Sequence, residues 1–179
     1  MNYFQKYFKK ISKKINEIDI ALLDAATKMI LKAREKGGKI ILGGNGGSAA
    51  IASHVSVDLT KNSGVRAINF NESDLISCFS NDYGYEKWVE KAIEFYADRN
   101  DVAIMISSSG KSKNIINGSL KCKELGLKLI TLSGFGADNP LRQLGDINLW
   151  VDSDVYNVVE ATHQVWLLAI ADKLIDGIL

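Results

Sequence analysis

The sequence predicts an α/β fold: a doubly wound, five-stranded parallel sheet with helices on both faces, in three layers, preceded by N-terminal helices. Two observations predict it. Short β-rich runs alternate with helical segments from residue 39 onward, and the run that starts at residue 101 is continuously apolar, as in a strand buried on both faces. Such sheets bind ligands beyond the carboxyl ends of their strands, where the strand order reverses. We therefore expect the functional residues in the turns that follow the strands.

The composition is that of a globular protein with one structural domain. The chain has 179 residues, of which 46% are hydrophobic and 24% charged, and its net charge of +1 argues against a strongly basic nucleic-acid-binding surface. No apolar run has the length of a membrane span, and the N-terminus lacks the apolar core of a signal peptide. Cys78 and Cys122 have no metal-binding spacing. We expect reduced thiols and a cytoplasmic protein that binds neither nucleic acid nor membrane.

Residues 1–36 are predicted to form a helical element ahead of the main domain, 37–179. The first helix is predicted by an apolar stripe at helical spacing: Phe4, Phe8, Ile11 and Ile15. A second helix ends at Gly37 and Gly38. The basic residues of the first helix form either a solvated face or a patch that binds an anion or a protein partner. Because both helices precede the first strand, they must pack on the sheet or on another subunit.

The rest of the chain alternates between the two kinds of element. Strands are predicted at 39–44, 65–70, 101–109, 127–134 and 147–152. Helices are predicted at 48–62, 74–82, 85–97, 112–126 and 158–178. The single proline, Pro140, marks a loop.

The turn after the first strand, "GGNGGSA" from residue 43, leads into a helix. Glycines there allow backbone N–H groups to approach an anion, and the helix dipole favours negative charge. Gly44, Gly46 and Ala49 also fit a dinucleotide-binding fingerprint, but Glu72 is a poor candidate for the acid that should follow the second strand. A tight turn without a ligand is the third interpretation.

A second turn, "SSSGKS" at 107–112, also follows a strand and starts a helix. It ends like a nucleoside-triphosphate loop, but Met105 stands where that motif needs glycine. Ser112 is either a helix cap or a ligand, and Lys111 either adds charge or points to solvent. Three consecutive serines exceed what a cap needs, and hydroxyls with backbone donors at a positive helix end suit a phosphate monoester.

The chain has two histidines. His54 follows the glycine turn, with Asp58 one helical turn later; the pair is a hydrogen bond within the helix, a base with its orienting group, or two metal ligands. His163 lies on the last helix, between Val159 and Leu167 on one face. A histidine on an apolar helix is usually a core residue with a satisfied hydrogen bond. The alternative is that it faces the cleft.

Together these motifs resemble the sugar isomerase (SIS) domain family, most closely its phosphoheptose isomerases. The matching stretches are "GNGGSA", "SNDYGYE" (80–86), "ISSSGKSKNI" (106–115) and "LITLSGFGADNPL" (129–141), in the family's order. The resemblance implies a five-stranded parallel sheet, a homotetramer with shared active sites, and interconversion of sedoheptulose 7-phosphate and an aldoheptose 7-phosphate for surface polysaccharide. The substrate contacts that it implies are Asn45, Gly46, Gly47, Ser48, Asn81, Asp82, Ser107, Ser108, Ser109 and Ser112.

The same resemblance implies the catalytic and metal-binding positions. The family's His and Glu that can bind zinc fall on His54 and Asp58. The resemblance also implies that this Glu is the catalytic base, whose side chain is one methylene shorter here. The Gln and His of its last helix fall on Val159 and Leu167, so this chain lacks both. Our own inference, outside the family pattern, is that His163, midway between them on the same face, replaces the lost histidine as acid and third zinc ligand.

The isomerisation moves a proton between adjacent carbons through an enediol, with Asp58 as the expected base and His163 as the acid. It requires no redox or nucleotide cofactor, and a zinc ion stays an open alternative. Because Asp58 and Leu167 depart from the family pattern, a non-catalytic module that binds a phosphosugar or a protein partner is the second hypothesis.

Overall fold

All five predicted strands pair in one sheet in the computed structural model, which describes residues 1–175. The strands are β1 (Ile40–Gly43), β2 (Ala67–Asn69), β3 (Val102–Ser107), β4 (Lys128–Ser133) and β5 (Ile147–Trp150). Their order is β2-β1-β3-β4-β5, and every neighbouring pair is parallel. The predicted fold class is therefore confirmed.

The helices lie close to their predicted positions. They are α1 (Tyr3–Asn16), α2 (Ile20–Glu35), α3 (Gly47–Lys61), α4 (Ser73–Tyr83), α5 (Trp88–Tyr96), α6 (Lys113–Glu124) and α7 (Tyr156–Lys173). The last helix, predicted at 158–178, begins earlier and ends at Lys173. The end of that predicted range, 176–178, lies outside the described residues. Pro140 precedes a short 3₁₀ turn, Leu141–Gln143.

The sheet is covered on both faces because alternate residues of each strand point to opposite sides. On one side, Ile40, Leu42 and Ile104 pack among the buried residues of α2, α3 and α7. On the other side, Ile41 and Met105 pack among those of α5 and α6. Every residue of β3 is buried, as its continuous apolar run predicted.

The first helix contributes no buried residue to the core, which is true also of α4. It is held at its carboxyl end, where the indole Nε1–H of Trp166 donates to the carbonyl of Ile15 at 3.0 Å. Phe4 and Phe8 remain 64% and 63% exposed. Within the chain, α2 therefore covers the sheet, whereas the aromatic part of α1 faces outward.

Between residues 1 and 175, the helices are all too short or too polar to cross a membrane.

Candidate active site

A polar cleft of about 220 Å³ lies at the carboxyl edge of the sheet, between the turns that follow β1 and β3. These neighbouring strands lead in opposite directions across the sheet, one toward β2 and the other toward β4, so the cleft lies where the strand order reverses. Its lining residues are Asn45, Gly46, Gly47, Ser48, Ile106, Ser107, Ser108, Ser109, Ser112, Tyr156 and Glu160. The structure thus brings together every predicted substrate contact except Asn81 and Asp82.

The serine turn presents hydroxyls to this cleft. Ser107 donates to the hydroxyl of Ser112 at 3.0 Å. Ser112 occupies the N-cap position of α6, but among the described residues its side chain makes no capping hydrogen bond. The interpretation of Ser112 as a simple cap is therefore not supported, and the first N–H groups of α6 are available to a ligand.

The glycine turn supplies a second helix N-terminus on the other side of the cleft. Gly46, the N-cap of α3, has a φ of 54°, which side chains rarely adopt, and makes no side-chain capping bond within the described chain. Two helices thus direct uncapped N–H groups and positive dipole ends toward one cleft, which favours an anion.

The two turns are joined by a pair of amides. Asn45 and the buried Asn114 exchange two hydrogen bonds, each 2.9 Å long, between their side-chain amides. Tyr85 donates a further bond to Asn45 at 3.3 Å. Asn45 is therefore fixed by three contacts and holds the glycine turn against α6.

Glu160, for which the sequence suggested no role, forms part of the cleft wall. Its Oε1 accepts a hydrogen bond from Ser108 at 3.2 Å, and its Oε2 lies 2.2 Å from where a Cβ on Gly47 would be. Only glycine at position 47 leaves room for the carboxylate in this position. A signal was present in the sequence: Glu160 and Gln164 are polar residues one turn apart on a mostly apolar helix.

His54 and Asp58 form a pair on α3, with Nε2 of His54 3.3 Å from Oδ2 of Asp58. The side-chain nitrogen of Gln164 on α7 lies 2.9 Å from Nδ1 of His54. In this arrangement Gln164 donates to Nδ1, so the ring proton is on Nε2 and points at the carboxylate. The pair is half-exposed. It lies outside the lining of the polar cleft around the serine turn, which we call the serine cleft.

His163 does not face the cleft, contrary to the prediction. It is fully buried, and its Nε2 lies 3.1 Å from the carbonyl oxygen of Ser133. Val159 and Leu167 are buried beside it, so the three residues share a face as predicted, but that face packs on the sheet. Burial lowers the pKa of His163 to about 4. The ring is not part of the cleft lining, so within one chain it does not reach a ligand there.

The predicted metal set is not assembled within the chain. In residues 1–175, no three His, Cys, Asp or Glu side chains are arranged to hold a metal ion. Both ring nitrogens of His54 already have protein partners, and His163 is in the core. One chain therefore offers His54 and Asp58 but no complete zinc site.

Asn81 and Asp82 lie near the end of α4, exposed and outside the cleft. Asn81 donates to Asp82 at 2.9 Å, and the Sγ of Cys78 lies 3.7 Å from the same carboxylate. Within one chain these residues do not meet the serine turn.

Comparison with known proteins gives matches along most of the chain. The SIS domain family model matches residues 3–134. Phosphoheptose isomerase of Helicobacter pylori (strain P12) is 32% identical, over 84% of this chain and 81% of the relative. Phosphoheptose isomerase of Campylobacter jejuni is 33% identical, over 99% of both chains. The solved structure of a phosphoheptose isomerase from Neisseria gonorrhoeae superposes with a TM-score of 0.88 and 24% identity, covering 96% of this chain and 95% of the other.

Proposed function

Since this chain belongs to the SIS domain family and aligns with phosphoheptose isomerases over most of its length, we propose that it is an aldose–ketose isomerase for a phosphorylated heptose. Its substrate is sedoheptulose 7-phosphate, and its product is an aldoheptose 7-phosphate. The observation that supports this most is the serine cleft, where two uncapped helix N-termini and five serines surround one space.

The phosphate binds in that cleft. Serine hydroxyls and the first N–H groups of α3 and α6 donate to its oxygens, and both helix dipoles favour its charge. Glu160 cannot donate while ionised, so it accepts hydrogen bonds from sugar hydroxyls beside the phosphate. Anchoring one end of the sugar in this way limits where the reacting carbons can lie.

Asp58 is the base that removes the proton from carbon. His54 donates to it through Nε2–H, and Gln164 fixes the ring that does so. His163 lies in the core and both ring nitrogens of His54 have protein partners, so neither histidine donates to the enediol oxygens. Asp58 carries the proton from one carbon to the next, and the hydroxyl proton on the first carbon passes to the oxygen on the second. This proton transfer needs no redox or nucleotide cofactor, and no step is assigned to zinc.

A homo-oligomer completes the site. Asp58 follows Gly47 by three helical turns, about 16 Å along α3, and the pair lies beside the exposed side chains of Val57 and Val165. A second subunit that covers these valines would bury the catalytic pair and extend the cleft toward it. The exposed stripe of α1 provides further apolar surface for a tetramer.

The free thiols of Cys78 and Cys122 fit the reducing cytoplasm.

The test is to incubate the chain with sedoheptulose 7-phosphate in D₂O and to follow the product by NMR. The wild type should form the aldose and incorporate deuterium at carbon, whereas Asp58→Asn should lose turnover but still bind the phosphosugar. Asn62→Ala, which removes a neighbouring contact to Asp58, is the matched control and should keep most activity. Binding by the wild type without turnover or exchange would contradict the proposal and support the non-catalytic module.

A further inference from the structure

A second cleft lies at the amino edge of the sheet, at the ends of the strands opposite to the serine turn. It encloses about 510 Å³, a volume typical of small-molecule sites. One wall is α2. The other consists of the turn before β3 and the first residues of β4 and β5. No residue of this cleft belongs to the proposed active site, so the two sites would take separate ligands.

The floor of this amino-edge cleft is apolar. Met29 and Ala33 of α2 lie across from Val102 and Ile147, the first residues of β3 and β5. Ala33, Val102 and Ile147 are buried in the same core cluster. A ligand on this floor would therefore contact aliphatic carbon rather than polar groups.

The rim is cationic. Lys28 and Lys32 lie four residues apart on one face of α2, and Lys36, the C-cap residue of that helix, follows at the same step. Arg99 and Lys128 approach the same space from the opposite wall. Lysines at the end of a helix also offset its dipole, but Arg99 and Lys128 are not part of α2, so the dipole does not account for all five cations.

These charges are mostly not neutralised by the protein. Of the five, Lys128 alone pairs with a carboxylate within residues 1–175, that of Asp146 at 2.7 Å. The single acid in the lining, Asp101, has a side chain only 1% exposed and is bound to the ammonium of Lys39 at 2.6 Å. The cleft therefore has a net positive charge, although the whole chain is close to neutral.

The turn that presents Arg99 is fixed in place. Asn100 has a φ of 77°, and its carbonyl oxygen lies 2.2 Å from where a Cβ on Gly38 would be. Asp101 accepts the backbone N–H groups of Lys39 and Asp98, each at 2.8 Å. The turn is thus tied to the start of β1, which fixes the backbone of Arg99 at the rim of the cleft.

We propose that this cleft binds a nucleoside di- or triphosphate. Its apolar floor suits a flat base, and its cationic rim suits several phosphate charges at once. A phosphosugar alone would use the rim and leave the floor uncovered. This site is separate from the proposed isomerase function, and either can be wrong without the other.

Calorimetry on the full chain at low ionic strength tests the proposal, with ATP, adenosine and inorganic triphosphate as probes. ATP should bind once per chain, and each fragment about tenfold or more weakly. Lys32→Gln with Arg99→Gln should weaken ATP binding by about tenfold or more. Lys9→Gln with Lys87→Gln, which removes two exposed lysines elsewhere, is the matched control and should leave the affinity unchanged.

Ser107→Ala with Ser109→Ala separates the two clefts: ATP should bind this variant as it binds the wild type. Absence of saturable ATP binding at millimolar concentration would overturn the proposal, as would loss of ATP binding in the serine variant. If inorganic triphosphate binds as tightly as ATP, the floor plays no part and the assignment to a nucleotide is wrong. If the Lys32 and Arg99 variant unfolds, Lys28→Gln alone should still weaken ATP binding, by about threefold.

Discussion

Ser108 donates its hydroxyl to the carboxylate of Glu160 across 3.2 Å, although the two residues are 52 positions apart in the sequence. The contact joins the turn after β3 to the first half of α7. It gives the serine cleft an acidic wall, which the resemblance to isomerases did not indicate. The consequence for substrate binding is the first prediction.

Glu160→Gln should lower kcat/KM by about tenfold or more. The amide keeps the size of the side chain but is a weaker acceptor of sugar hydroxyls, and a lost hydrogen bond to a charged group costs about 1.5–3 kcal/mol. Steady-state kinetics with sedoheptulose 7-phosphate measures this. Glu124→Gln, an exposed acid on α6, is the control. If the wild type, Glu160→Gln and Glu124→Gln have equal kcat/KM values, Glu160 has no contact with the substrate.

Ser107→Ala with Ser109→Ala should weaken phosphosugar binding by more than about tenfold while the fold stays intact. The reason is the loss of two hydroxyl donors to a charged phosphate. Calorimetry gives the affinity, and circular dichroism checks the fold. Ser119→Ala, a serine on α6 whose hydroxyl bonds within its own helix, serves as comparison. Unchanged affinity in the double variant would remove the serine turn from the site.

Acid should destabilise the protein through His163. Its pKa is about 4 in the folded chain, against 6.5 for an unperturbed histidine. Between pH 6.5 and about 4, His163 is protonated in the unfolded chain but not in the folded chain. The free energy of unfolding therefore falls as the pH decreases through this range. The loss approaches roughly 3 kcal/mol at pH 4 and is absent above pH 6.5.

Urea unfolding between pH 4 and 7 measures this term. His163→Gln can still donate to the carbonyl of Ser133 but does not titrate, so its stability should vary less with pH than that of the wild type. The comparison depends on slopes, so a constant loss of stability in the variant does not affect it. Parallel curves for the wild type and His163→Gln would show that His163 titrates normally.

Phe4→Ser with Phe8→Ser should reduce the size of the assembly. Both rings are more than half exposed in the single chain, and an aromatic stripe of this kind is unfavourable in water unless another subunit covers it. Light scattering at micromolar concentration should show a tetramer, or at least a dimer, for the wild type and a smaller species for the variant. A monomeric wild type would contradict the prediction.

The sequence was sufficient for the sheet and for most of the cleft. The strands and their turns are local patterns, and residues that directly follow neighbouring parallel strands must meet at one edge. The orientation of α7 was not accessible in the same way. Periodicity showed that Val159, His163 and Leu167 share a face, but the helix is apolar on most sides, so it did not show that this face lies on the sheet. Whether Asn81, Asp82 and Asp58 meet the serine turn depends on chain association, which no spacing within the sequence specifies.

The last helix is also the last part of the cleft to be synthesised. The strands and turns that surround the anion site are complete by Ser112, but the partners of Ser108 and His54 are Glu160 and Gln164. During synthesis, which proceeds from the N-terminus, the nascent chain therefore has its serine turn long before it has the opposite wall. Both contacts join residues far apart in sequence, so their formation costs loop-closure entropy. Premature termination before α7 would remove these partners together with the residues that α7 buries in the core.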